Sequence, residues 1–247
     1  MDLRSELVCT RNVTKSLGSS MDEHSILGKF LRIFREKREN GSSMASHEDA
    51  LLFNFSTEKY NHIFEQCIAS QRAYCERNGI EYQNITIPDN SIIGREIAWI
   101  KVPLILGALT AGYRYVAFVD SDIMISENSE DFRTVFLDGS GTIALSSGHS
   151  GRLNSGVIFV KNSDDSINSL EEIIQSFGEY IPACDRVGWG ENGYFINQLK
   201  RSNHLIHLDR KWNNTVEISQ ETFFTHYTGP LREMRTAVRN STTVAAA

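Results

Sequence analysis

At 247 residues, 40% of them hydrophobic, and with a mean hydropathy of −0.29, the chain can bury one sizeable core and lacks the overall composition of a disordered protein. A net charge of −6, a pI near 5.7 and the lack of a dense Lys/Arg stripe argue against a nucleic-acid partner, which would need clustered positive charge. The longest apolar stretch, Ile97 to Tyr113, is interrupted by Lys101 and Pro103 and is too short for a bilayer, so no membrane segment is expected.

Residues 1–48 are polar and Ser-rich around one expected helix, Ile26 to Lys37, and form an appendage; 237–247 form a tail. Between them, 49–236 read as one α/β domain. Ala50 to Phe55 is a buried strand, and Ser56 and Thr57 supply hydroxyls for an N-cap. The helix that follows runs to Asn78, with Gly79 as a left-handed cap. Its Cys67 and Cys75 lie eight residues apart, roughly 12 Å by helical rise, too far for a disulfide. They read as core thiols; Cys9 and Cys184 have no metal-type spacing. Tyr82 to Ile87 is a second strand, Glu96 to Ala111 an apolar helix around Lys101, and Tyr115 to Val119 a third strand. Strand, helix, strand, helix, strand implies a doubly wound parallel sheet. Thr142 to Leu145 and Val157 to Val160 follow as short strands, then a helix over Ile167 to Phe177 and a last strand at Phe223 to Thr225.

Ligands of such sheets bind beyond the carboxyl ends of the strands. The third strand ends in Asp120-Ser121-Asp122, two carboxylates able to turn toward one hard divalent cation shared with a diphosphate. Two aspartates capping a loop are the bland alternative. Asn154-Ser155-Gly156 places short polar side chains beside a glycine, which suits hydroxyl recognition at close backbone approach and equally suits a plain turn. Gly188-Trp189-Gly190-Glu191-Asn192-Gly193 combines an aromatic face, a carboxylate and flexible backbone, as a sugar-binding loop on the acceptor side requires, or forms a surface turn. A charge at Lys101 among apolar neighbours must reach an anion or snorkel to water. The sequons at Asn12, Asn40, Asn84, Asn213 and Asn240 mark acceptors if the chain is lumenal.

Four segments in this order, Trp99-Ile100-Lys101, Phe118 to Asp122, Leu153 to Val157 and His226-Tyr227-Thr228-Gly229, resemble the nucleotide-sugar glycosyltransferases of the A-type fold, above all the glycogenin-like and yeast α-galactosyltransferase-like groups. The resemblance spans roughly Ala50 to Arg235. It implies a Rossmann-like domain with a central mixed, mostly parallel sheet. It further implies a donor such as a UDP-sugar and a metal held on the diphosphate by Asp120, Asp122 and His226; imidazole tilts the cofactor toward Mn²⁺, with Mg²⁺ possible. Arg232, spaced from His226 and Gly229 as the family's lysine is, would neutralise phosphate, but the family's Lys-Pro-Trp ending is replaced here from Glu233-Met234 onward. Phe55, Thr57 and Tyr60 would face the base, with Tyr60 stacking; Lys101 would meet the diphosphate, and Asn154, Ser155 and Gly156 the donor sugar. With Glu191-Asn192 in place of the family's Asp-Gln, Glu191 would act on a glycan or other hydroxyl acceptor, as base in an inverting reaction or as stabilising carboxylate in a retaining one, with Asp122 also catalytic. Retention is the lean from the resemblance.

A non-catalytic nucleotide-sugar or glycan-binding module is the first alternative. A sugar-nucleotide pyrophosphorylase is the second, but its first strand should open into a Gly-rich loop, and Phe53 to Lys59 holds no glycine. A glycoside hydrolase would need carboxylates spaced across a cleft and not an Asp-x-Asp at one strand end. A cytoplasmic location is expected from the lack of signal-peptide order, with the Golgi lumen the alternative if the chain is a fragment.

Overall fold

The computed structural model describes residues 32, 49–87, 94–139, 141–187 and 190–234. The expected Ile26–Lys37 helix (save Arg32), the 237–247 tail, Gly188 and Trp189 lie outside the described residues.

Strand β1 (Ala50–Thr57) leads into α1 (Glu58–Ile63) and α2 (Glu65–Asn78), and then β2 (Glu81–Ile87). The Thr57 hydroxyl accepts from the Tyr60 N–H at 3.4 Å, and Gly79 closes α2 with φ 60°, as both residue types dictate. The single helix expected from Glu58 to Asn78 is broken at Phe64, whose ψ of 27° leaves the helical region. A 3₁₀ turn (Gly94–Ile100) precedes α3 (Lys101–Thr110), then β3 (Tyr115–Val119), β4 (Ile123–Ile125), β5 (Ile143–Ser147), β6 (Leu153–Lys161), α4 (Asp164–Gln175), α5 (Asn192–Leu199), β7 (Leu205–Leu208) and β8 (Phe224–His226).

The main sheet has the order β2-β1-β3-β6-β5-β7, and β4 and β8 pair in a separate ribbon. β1 is parallel to β2 and β3, and β5 to β7, whereas β6 runs antiparallel to both its neighbours. This reversal follows from connection length. β5 and β6 are joined by residues 148–152, where the Gly148 N–H bonds the Arg152 carbonyl at 2.9 Å, and so short a link makes a hairpin and cannot make a parallel crossover.

Residues alternate strictly across β1 and β3, as a strand with two covered faces requires. Leu51, Phe53, Val116 and Phe118 face α3, α4 and α5, whose Leu104, Ile105, Leu170, Ile173 and Phe195 fill that layer. Ala50, Leu52, Ala117 and Val119 face the other way, against Tyr74 and Cys75 of α2 and Ile123, Trp212 and Phe224 around the ribbon. The sheet is therefore sandwiched, and its free ends are where polar groups can gather. Cys67 and Cys75 are buried free thiols, as expected.

Candidate active site

The carboxyl end of β3 is a crossroads because three chain directions meet there. Antiparallel pairing sets Val119 opposite Val157, so the start of β6 lies beside the end of β3; the Asp120 N–H donates to the Gly156 carbonyl at 2.8 Å. Asn154, Ser155 and Gly156 are thus strand residues of β6, which begins at Leu153, four residues before the expected strand start at Val157. The ribbon adds the third direction. Ile123 of β4 pairs with His226 of β8, which carries the imidazole back across the chain onto Asp122.

The result is a triad. One ligand atom each of Asp120, Asp122 and His226 lie within 4.8 Å of one another, and His226 Nε2 is 3.2 Å from Asp122 Oδ1 and 3.6 Å from Asp120 Oδ2. His226 Nδ1 is occupied by Asn213 Oδ1 at 2.9 Å. Burial pushes the Asp120 carboxyl above the usual carboxylate range, against the pull of Lys101 and His226.

Lys101 neither snorkels nor stands alone. Only 3% exposed, it sits over the Phe118 ring, donates to the Ser155 carbonyl at 3.1 Å, and pairs with Glu191 at 2.9 Å and Asp120 at 3.5 Å. Burial works against its charge, yet Asp120 and Glu191 outweigh that cost and lift its pKa above the ordinary amine value. The segment before it is anchored by Trp99, packed edge-on against Phe177 and Tyr194 at 4.7 and 4.8 Å. Glu191 is 1% exposed and also accepts from the Ser155 hydroxyl at 2.6 Å. It stands at the N-cap position of α5. The segment expected as a loop from Gly188 to Gly193 therefore turns into a helix after Glu191. Asn192 fastens that helix to β6, accepting from the Ser155 N–H and donating to the Leu153 carbonyl.

These groups line one cleft of about 950 Å³, together with Phe55, Thr57, Tyr60, Ser121, Asn154, Gly156 and Arg232. Gly229 stands just outside the lining; at φ 51°, it packs under His149, whose ring lies 2.6 Å from where a Cβ would stand. Tyr60 is 44% exposed, with a face available for stacking. Three carboxylates on the cleft floor, Asp120, Asp122 and Glu191, outnumber the single ammonium of Lys101, and the imidazole nitrogen turned toward two of them completes an oxygen-and-nitrogen set that fits Mn²⁺. Sequence reasoning missed Asn213, visible there only as a sequon, and Gln71, which has no motif at all; Asn213 is fully buried, so a glycan on it is incompatible with this fold.

Sheet order, reversed strand and site position together define the A-type glycosyltransferase fold. Solved structures share it. A glycosyltransferase involved in glycosylation of the major capsid of PBCV-1 superposes with a TM-score of 0.62 at 14% identity, over 78% of this chain and 98% of that one. The apo-form glycosyltransferase GlyE of Streptococcus pneumoniae TIGR4 superposes with a TM-score of 0.51 at 13% identity, over 80% of this chain and 64% of that one. No protein-family model and no curated relative matches the sequence. No helix among the described residues is long and apolar enough to cross a membrane.

Proposed function

We propose that this chain is a glycosyltransferase that moves a hexose from a nucleotide-diphosphate donor, a UDP-sugar, to a hydroxyl of a glycan or other acceptor. The observation that carries the reading is the Asp120, Asp122 and His226 cluster on the floor of a 950 Å³ cleft at the strand ends of this fold. Those three residues would hold Mn²⁺, which when bound neutralises charge on the diphosphate leaving group.

The chain's own residues supply the rest. Arg232, exposed at the cleft wall, can fork onto phosphate oxygens. Phe55, Thr57 and Tyr60 take the base end, with the Tyr60 ring as the stacking surface. Lys101 pairs with both Asp120 and Glu191 and ties the two carboxylates to one point. Glu191, held by an ammonium and a hydroxyl, is fitted to stabilise positive charge at the sugar more than to take a proton, and this supports retention of configuration over inversion.

Calorimetric titration of UDP with and without Mn²⁺ tests the donor site. Metal-dependent binding in the parent protein that is lost in Asp122→Ala is the expected result, followed by UDP release from a UDP-hexose in the presence of acceptor glycans. Failure of both UDP and GDP to bind with metal would sink the reading and leave the fold alone.

A further inference from the structure

Behind the triad runs a chain of amides whose polarity can be read from its far end. The Gly156 backbone N–H, which can only donate, points at Asn154 Oδ1 at 3.0 Å, and this assigns that atom as an acceptor. Asn213 Nδ2 lies 2.9 Å from the same Oδ1 and 3.3 Å from the Asn154 carbonyl, two acceptors that settle which end of the Asn213 amide is nitrogen. The other end, Oδ1, then faces His226 Nδ1 at 2.9 Å and can only accept. Asn213 is fully buried and His226 3% exposed, so water offers neither of them an easy substitute.

We infer that Asn213 is a positioning residue that fixes His226 in the Nδ1–H tautomer and aims its Nε2 lone pair at the space shared with Asp120 and Asp122. The geometry leaves little latitude. Nε2 and Asp122 Oδ1 are 3.2 Å apart, a contact that calls for a proton on Nε2 or, when the imidazole is neutral with its proton on Nδ1, for a cation beside the two. An imidazole free to adopt the other tautomer would turn an N–H toward the carboxylates and close the position to an ion. The chain from backbone amide through two asparagines to the imidazole prevents this by satisfying Nδ1 first. The inference deepens the transferase reading and rests on it for the ion; the tautomer itself is a property of the chain alone.

Proton–nitrogen correlation NMR on the metal-free protein, assigned with His226→Gln and recorded above the pH at which the imidazole finishes titrating, reads the tautomer directly. Nδ1–H in the parent and a shift toward Nε2–H in Asn213→Ala are expected. Mn²⁺ alone, and then Mn²⁺ with UDP, is titrated in parallel by calorimetry. Asn213→Ala should bind about 10- to 100-fold more weakly, the usual cost of losing an outer partner of a ligand histidine. Asn213→Asp keeps an acceptor against Nδ1 but sets its second oxygen against the Asn154 acceptors, so it should retain the Nδ1–H tautomer and recover only part of that loss. If Asn213→Ala does not fold, Asn154→Ala, which frees the Asn213 amide to turn over, replaces it with a smaller loss in the same direction. An Nε2–H tautomer in the parent, or Mn²⁺ binding by folded Asn213→Ala (or by Asn154→Ala in its place) within twofold of the parent, overturns the inference. If the parent takes up no Mn²⁺ with or without UDP, the transferase reading fails, and the tautomer in parent and variant alone decides the role of Asn213.

Discussion

Gly156 lies under the His226 ring. A Cβ on that strand residue would stand 2.3 Å from His226 Cε1 and 2.9 Å from Asn154 Oδ1, closer than any real contact, so only glycine lets the imidazole and the Asn154 amide occupy their places. The short polar run Asn154-Ser155-Gly156 thus has an internal duty alongside any contact with a sugar. Asn154 orients the amide chain, Ser155 holds Glu191 through its hydroxyl and Lys101 through its carbonyl, and Gly156 makes room for the histidine. Gly156→Ala should displace the imidazole and weaken Mn²⁺ binding at least about tenfold, with a stability loss of about 1–3 kcal/mol from overpacking. Calorimetry of Mn²⁺ binding together with thermal melting separates the two effects: a variant that melts lower and still binds Mn²⁺ like the parent would show that the ring does not need this space.

The turn carrying Asp120 and Asp122 is held from behind by a helix. Gln71, fully buried on α2, donates through Nε2 to the carbonyls of Asp120 at 3.1 Å and Ile123 at 2.9 Å, bracketing the two carboxylates, and its Oε1 accepts from Asn54 Nδ2 of β1 at 2.5 Å. The Tyr82 hydroxyl of β2 joins the same cluster, accepting from Asn54 at 2.8 Å. Two neighbouring strands and α2 therefore set the backbone from which the ligands project. Gln71→Leu, close in volume, removes one donor from the Asp120 and Ile123 carbonyls and one acceptor from Asn54, although Asp120 keeps the Ile123 N–H and Asn54 the Tyr82 hydroxyl, and should cost about 1–3 kcal/mol by denaturant titration. It should also weaken Mn²⁺ binding although it touches no ligand side chain. Unchanged metal binding in a destabilised variant would confine Gln71 to a role in folding. The antiparallel course of β6 belongs to the same scale, since a parallel β6 would have carried Asn154, Ser155 and Gly156 to the opposite end of the sheet.

Across the whole molecule, burial on both faces of the sheet makes the thiols report on the fold. Burial pushes the Cys67 thiol up to about 12, and Cys75 higher still, with the Asp122 and Glu76 charges adding to the respective shifts, so neither forms a nucleophilic thiolate near neutral pH. Cys184 is exposed. Brief alkylation of the native protein, followed by peptide mass spectrometry, should mark Cys184 and spare Cys67 and Cys75 until denaturant is added; early modification of either would mean that α2 does not pack as described. The sequence by itself determined what depends on neighbours in the chain. The apolar strand runs, the Thr57 and Gly79 caps, the Asp-x-Asp at a strand end and the helix around Lys101 are all local signals, and with the later histidine they were enough to resemble a known fold. Only the tertiary structure decided what depends on residues far apart. It reversed β6, broke the first long helix at Phe64 and began a helix at Glu191. It also paired Lys101 with Glu191, across 90 positions of chain, and stacked Asn213 behind His226. Such choices carry no local pattern because buried polar groups find partners by proximity in space, and any asparagine or glutamine that arrives with the right atom at about 3 Å will serve.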